Sequence, residues 1–80
     1  MRIDKYLKVS RLIKRRTVAK EAGDTGRVML NGKLAKPGDR VKVGDIIELT
    51  MGQGTLKVRV LMVAETVKKD DAKLMYEVLA

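Results

Sequence analysis

Neither cysteine nor histidine occurs among the 80 residues. The first absence excludes disulfides, thiolate metal sites and a thiol nucleophile. The second removes the commonest general base. Aromatic side chains are nearly missing as well: Tyr6 and Tyr76 stand without any phenylalanine or tryptophan. RNA-recognition and oligonucleotide-binding sheets stack bases on several rings, so both are disfavoured. No apolar run approaches the ~20 residues of a membrane-spanning helix. The charged start, "MRIDKYLKVS", lacks the apolar core of a secretory leader. Catalysis is short of candidates. Ser10, the sole serine, has cationic neighbours, and "GDTG" and "GQG" lack the lysine of a phosphate-binding loop. Asp70 and Asp71 are adjacent on an expected helix, where successive side chains diverge by about 100° and form no paired-carboxylate site. A non-enzymatic, cytoplasmic protein without cofactor or metal is expected.

What the chain does have is positive charge, unevenly placed. Net charge is +8, and the first 42 residues hold 13 of the 18 Lys and Arg but 4 of the 10 Asp and Glu. That stretch carries +9 and the remainder −1. Segregation of this kind is the electrostatic footprint of a polyanion. Nucleic acid is the leading reading, ahead of an anionic membrane surface or charge kept for solubility.

Hydrophobic residues make up 45% of the chain, enough to fold. A domain this small buries only about 60–65% of its unfolded surface, so one domain is expected over residues 1–80. Ile3, Tyr6 and Leu7 have helical spacing, with Asp4 as the expected N-cap. A single helix running on to Gly23 would put Leu12 roughly opposite Ile3. Two helices are therefore predicted, joined by a basic elbow between Ser10 and Arg16. Thr17 caps the second, Val18, Ala19 and Ala22 face inward, and Gly23 and Gly26 stop it.

After Gly26 the period falls to two. "RVMLNGK" predicts a strand entering an Asn-Gly turn. "KPGDR" predicts a turn using Pro37 and a positive φ at Gly38, and "VKV-GD-IIEL" two strands across a tight connection. "GQG" predicts a further turn. "LKVRVLMV" alternates Val58, Val60 and Met62 inward with Lys57 and Arg59 outward. From Thr66 a C-terminal helix is expected, packing through Leu74, Val78 and Leu79. The fold class is α+β: two short N-terminal helices on a small, mostly antiparallel sheet, with a C-terminal helix.

The candidate binding residues follow from this layout. Lys14, Arg15 and Arg16 directly precede the second helix, whose free N–H groups and dipole already favour an anion. Arg2 joins them if the helices pack as a hairpin, with Asp4 orienting Arg2 or Arg16 by a salt bridge. Lys5, Lys8, Arg11 and Lys20 are either RNA contacts or ordinary solvated helix faces. Lys33 and Lys36 flank the two turns and would form a second rim. Arg27, Arg40 and Lys42 are weaker candidates, and Asn31-Gly32 is read as structural. Binding should rest on phosphates and RNA shape.

The string "RIDKYL…RRTVAKEAGDTGRVMLNGKLAKPGDRVKVGDII" resembles the alpha-L RNA-binding module, also called the S-four domain. That family's pattern is matched by Arg2, Asp4, Leu7, Arg16, Ala19, Gly26, Val28, Asn31, Gly32, Pro37, Gly44, Asp45 and Ile47, over about residues 2–49. Arg15 stands where the family often has serine, which adds charge, and Ala22-Gly23 where it usually has a bulky pair, which shrinks a helix–sheet contact. "RIDKYLKVSRLIKRRTVAKE" and "KLMYEVL" resemble its free-standing, ribosome-associated members in particular.

The resemblance implies a quality-control factor on the large ribosomal subunit that holds obstructed peptidyl-tRNA in the P site. An RqcH-type tailing factor on the same subunit would direct mRNA-independent alanine addition. The implied partners are thus large-subunit rRNA and peptidyl-tRNA, with no membrane or DNA, and a free protein that is monomeric. Arg2 and Arg16, supported by Asp4, would face rRNA and the tRNA anticodon stem. A heat-shock recycling factor and an accessory subunit of an RNA-modification enzyme are the alternatives. The heat-shock members typically carry a longer basic C-terminal extension.

Overall fold

Ile3, Tyr6 and Leu7 lie on one face of helix α1 (Ile3–Val9), and all three are buried. The computed structural model describes residues 1–13, 25–51 and 54–79. Arg2, not Asp4, takes the N-cap position, with extended dihedrals and no side-chain cap. The Ile3 and Asp4 N–H groups donate instead to the Asp39 and Pro37 carbonyls, at 2.7 and 3.3 Å. A neighbouring loop thus satisfies donors that a capping side chain would otherwise serve. Asp4 falls in the first turn, where its Oδ1 accepts from Lys5 N at 2.8 Å.

The helix ends where the break is expected. Ser10 is the C-cap and is buried, its hydroxyl donating to Leu7 O at 3.3 Å. Arg11 then takes a positive φ of 61°, which turns the chain away. The second predicted helix, with Lys14, Arg15, Arg16 and Lys20, lies outside the described residues, as do Gly52 and Gln53 of "GQG".

The described strands form one antiparallel sheet of five. These are β1 (Val28–Leu30), β2 (Lys33–Leu34), β3 (Ile46–Met51), β4 (Gly54–Val60) and β5 (Tyr76–Val78), in the order β2-β1-β3-β4-β5. Period-two alternation gives it an inner face of Val28, Ile47, Leu49, Val58 and Val60, all in the buried cluster with α1. On the outer face charges pair across strands: Lys57 lies 3.9 Å from Glu48, and Arg59 lies 3.4 Å from Glu77. Positive charge in the C-terminal half is therefore partly met within the sheet.

The Asn-Gly hairpin forms as predicted, with φ of 52° at Asn31 and 81° at Gly32. Asn31 also clamps two turns together. Its Nδ2 donates to Asp45 Oδ1 at 3.1 Å, and its Oδ1 accepts from Ile46 N at 2.9 Å. Asn31-Gly32 is structural, as expected.

Three further expectations are corrected. "VKV-GD-IIEL" holds one strand, because Lys42 to Asp45 closes as a turn. Lys42 N donates to Asp45 Oδ2 at 2.9 Å and Asp45 N to Lys42 O at 3.1 Å. "KPGD" bonds in the same way, with Lys36 N to Asp39 Oδ2 and Asp39 N to Lys36 O both at 3.0 Å. There the aspartate closes the turn, and Gly38 does not take the positive φ expected of it.

The third correction is the C-terminal helix, which is a 3-10 segment (Lys69–Met75) followed by β5. At three residues per turn Ala72 and Met75 eclipse one another, and these two are buried while Leu74 and Val78 are exposed. Tyr76 and Val78 suit a strand, and β4 offers them an unpaired edge. Leu61 N, Met62 N and Leu79 N complete the bonding, to Met75 O, Met75 O and Lys57 O.

Candidate nucleic-acid interface

The loop that satisfies the start of α1 also brings cations to it. Arg2 and Arg40 pair as an isolated antiparallel bridge, and Val41 N donates to Met1 O at 2.9 Å. Lys36 belongs to the turn whose Pro37 and Asp39 carbonyls receive the Ile3 and Asp4 N–H groups. Arg2, Lys36 and Arg40 therefore share one end of the molecule, and all three are exposed.

Asp4 fixes the direction of the leading cation. It is 2% exposed, and its Oδ2 receives Arg2 Nη2 at 3.1 Å, while the Arg2 side chain remains 47% exposed. One edge of the guanidinium is held by a buried carboxylate and other N–H groups remain for an outside acceptor. A guanidinium presents five donors in a planar fork that matches phosphate oxygens. Anchoring it reduces the rotamer entropy lost on binding.

The predicted residues divide accordingly. Arg2 and Asp4 meet as expected, and Lys36 joins them through its turn. Lys33 stands exposed on the outer strand β2, opposite Leu30, and no hydrogen bond links it to the Arg2 end among the described residues. Lys5 faces elsewhere, pairing with Glu65 across 60 residues of chain. That hydrogen bond, and then the Lys5 charge, hold the Glu65 carboxyl below its ordinary value. Lys14, Arg15, Arg16 and Lys20 are outside the described residues.

Arg40 gains weight from its bridge to Arg2, and only the fold reveals it, since nothing in the local sequence pairs residues 38 positions apart. Ser10, buried against Leu7 O, is not available as a nucleophile. Among the described residues no three His, Cys, Asp or Glu gather to hold a metal, and no helix is long and apolar enough to cross a membrane.

Comparison with known proteins adds the family. The S4 domain, the module suggested by the motif, matches residues 1–47. An RQC P-site tRNA stabilizing factor from Streptococcus pneumoniae is 54% identical over 80 residues, spanning 100% of this chain and 91% of that protein. A Heat shock protein 15 homolog from Aeromonas salmonicida is 40% identical over 78 residues, 96% of this chain but 59% of that protein. The trimeric structure of Vibrio cholerae Heat Shock Protein 15 superposes with a TM-score of 0.92 at 28% identity, covering 100% of this chain and 82% of that one. The chain belongs to the S4 domain family and, within it, to the family of RQC P-site tRNA stabilizing factors.

Proposed function

We propose that this chain is a non-catalytic RNA-binding factor of ribosome-associated quality control. It binds the large ribosomal subunit carrying obstructed peptidyl-tRNA and steadies that tRNA in the P site. An RqcH-type factor on the same subunit then adds alanine without mRNA. Its partners are rRNA and tRNA, its binding residues Arg2, Lys14, Arg15, Arg16, Lys20, Lys33 and Lys36, with Asp4 orienting Arg2 and Lys5 adding charge. It acts as a single domain, monomeric when free, in the cytoplasm.

The observation that carries this reading is full-length similarity to factors named for P-site tRNA stabilisation, in a chain whose Arg2 is held outward by buried Asp4. Clustered cations without aromatic rings suit phosphate contacts, which position a protein on RNA shape rather than sequence. Deleting the gene and following a stalled-translation reporter tests the process. Loss of alanine tails is expected, and persistence of tails contradicts the assignment.

A second reading is a heat-shock recycling factor on the same subunits, favoured by the 0.92 TM-score to Heat Shock Protein 15. It predicts intact tails and slower clearance of stalled subunits in the same strain.

A further inference from the structure

Away from the Arg2 end, α1 and the chain entering the 3-10 segment enclose an open groove of about 800 Å³. Among the described residues, Lys5, Lys8, Arg11 and Lys69 line it together with one carboxylate, that of Glu65. Lys5 and Lys8 are three residues apart, nearly one turn of α1, so both reach the same wall. The Glu65 side chain is 72% exposed and pairs with Lys5, so one of the four cations already holds an oxyanion. Val9 and Val67 supply apolar surface, and among the described residues no aromatic ring lines the groove. The site suits a charged backbone rather than a stacked base.

The chain at the groove's end turns sharply after α1. Arg11 has φ of 61°, a region that L residues with a Cβ avoid and glycine enters freely. Hydrogen bonds from Arg11 N to Lys8 O and from Ile13 N to Leu7 O, both 3.0 Å, hold the turn. Arg11 is the residue after the C-cap Ser10, where helices commonly end in a left-handed conformation, and this turn sets Arg11 on the wall of the groove.

We infer that this groove is a second phosphodiester-binding site, in which one phosphate of an RNA strand displaces the Glu65 carboxylate from Lys5 while neighbouring phosphates pair with Lys8, Arg11 and Lys69. The inference rests on the RNA-binding reading and extends it from one contact surface to two. Glu65 then acts as an internal competitor. It occupies the site when RNA is absent and sets how strong an anion must be to enter.

The test is a salt titration of RNA affinity for the full chain, with a fluorescein-labelled RNA hairpin and a fluorescein-labelled oligouridylate as probes. Lys8→Ala/Lys69→Ala removes two phosphate partners and should lower the log–log salt slope by about 1.4–1.8. Glu65→Gln should tighten binding by about twofold to fivefold, the range of a surface ion pair. Arg11→Gly should weaken RNA binding while leaving the melting temperature unchanged or higher, a pattern that misfolding cannot give.

An unchanged slope in Lys8→Ala/Lys69→Ala overturns the second site, even where Arg2→Ala abolishes binding and so upholds the first. Loss of slope in the groove variant with full binding by Arg2→Ala has the converse meaning. Should a labelled polyglutamate peptide bind and be lost in the groove variant while the RNA slope stays fixed, the occupant is an acidic protein segment and the inference fails.

Discussion

Asp4 lies buried at the start of α1 with its Oδ2 3.1 Å from Nη2 of Arg2, which is half exposed. A carboxylate inside the fold thereby positions a cation outside it. Asp4→Ala removes the acceptor of both Lys5 N and Arg2, and should destabilise the protein by about 2 kcal/mol in urea unfolding. RNA affinity should fall further than the unfolded fraction explains, because Arg2 loses its orientation. Asp4→Glu, which keeps the charge, should recover part of each.

Tyr6 is the largest fully buried side chain among the described residues, and its hydroxyl donates to Met75 O at 2.6 Å. That carbonyl also accepts from Leu61 N and Met62 N, so Tyr6→Phe leaves it with partners. The cost should be about 0.5–1.5 kcal/mol, read from the unfolding midpoint. Burial, and secondarily Tyr76, pushes the phenol well above the ordinary tyrosine value of 10.0. The neutral phenol's contribution is complete below that value and declines as pH rises from it toward the folded value. Tyr6→Phe should show a shallower alkaline loss of stability than the parent chain.

Asn31 ties the hairpin turn to the Asp45 turn through both its amide atoms. Asn31→Asp would set a carboxylate against Asp45 and withdraw the donor. Relative to the parent chain, whose Asn31 amide carries no charge, its stability should fall as pH rises through the carboxylate range, about pH 4 to 6. Equilibrium unfolding across that range checks it.

Met75 is buried and Leu74 is 59% exposed, the reverse of the order an α-helix from Thr66 implies. Met75→Ala should cost about 2–5 kcal/mol and Leu74→Ser less than about 0.5 kcal/mol. Chemical denaturation of the two variants tests which of the two side chains the segment buries.

The elements readable in advance were those set by local periodicity. Ile3, Tyr6 and Leu7 marked α1, Asn31-Gly32 the hairpin, and Val58 and Val60 the inner face of β4. Reading failed where distant backbone decided. Asp4 looked like a cap, yet carbonyls of Pro37 and Asp39 had taken that work. The "KVGD" and "KPGD" turns share reciprocal lysine–aspartate bonding, but the valines of "VKVGDII" read as strand. Tyr76 to Val78 carried no strong signal of their own and became a strand on the free edge of β4.

The candidate site divides in the same way. Arg2 and Asp4 are two residues apart, so their pairing was legible. Arg40 beside Arg2, and Glu65 and Lys69 beside Lys5, meet only through tertiary folding.

Sedimentation of an Arg2→Ala/Arg16→Ala protein with large subunits bearing peptidyl-tRNA, paired with its melting temperature, tests whether these two arginines hold the RNA. The double variant should melt somewhat below the parent chain, because buried Asp4 loses its ion pair with Arg2, yet be folded at the assay temperature and stay in the supernatant at physiological salt. Pelleting with the subunits at parental levels would contradict that role.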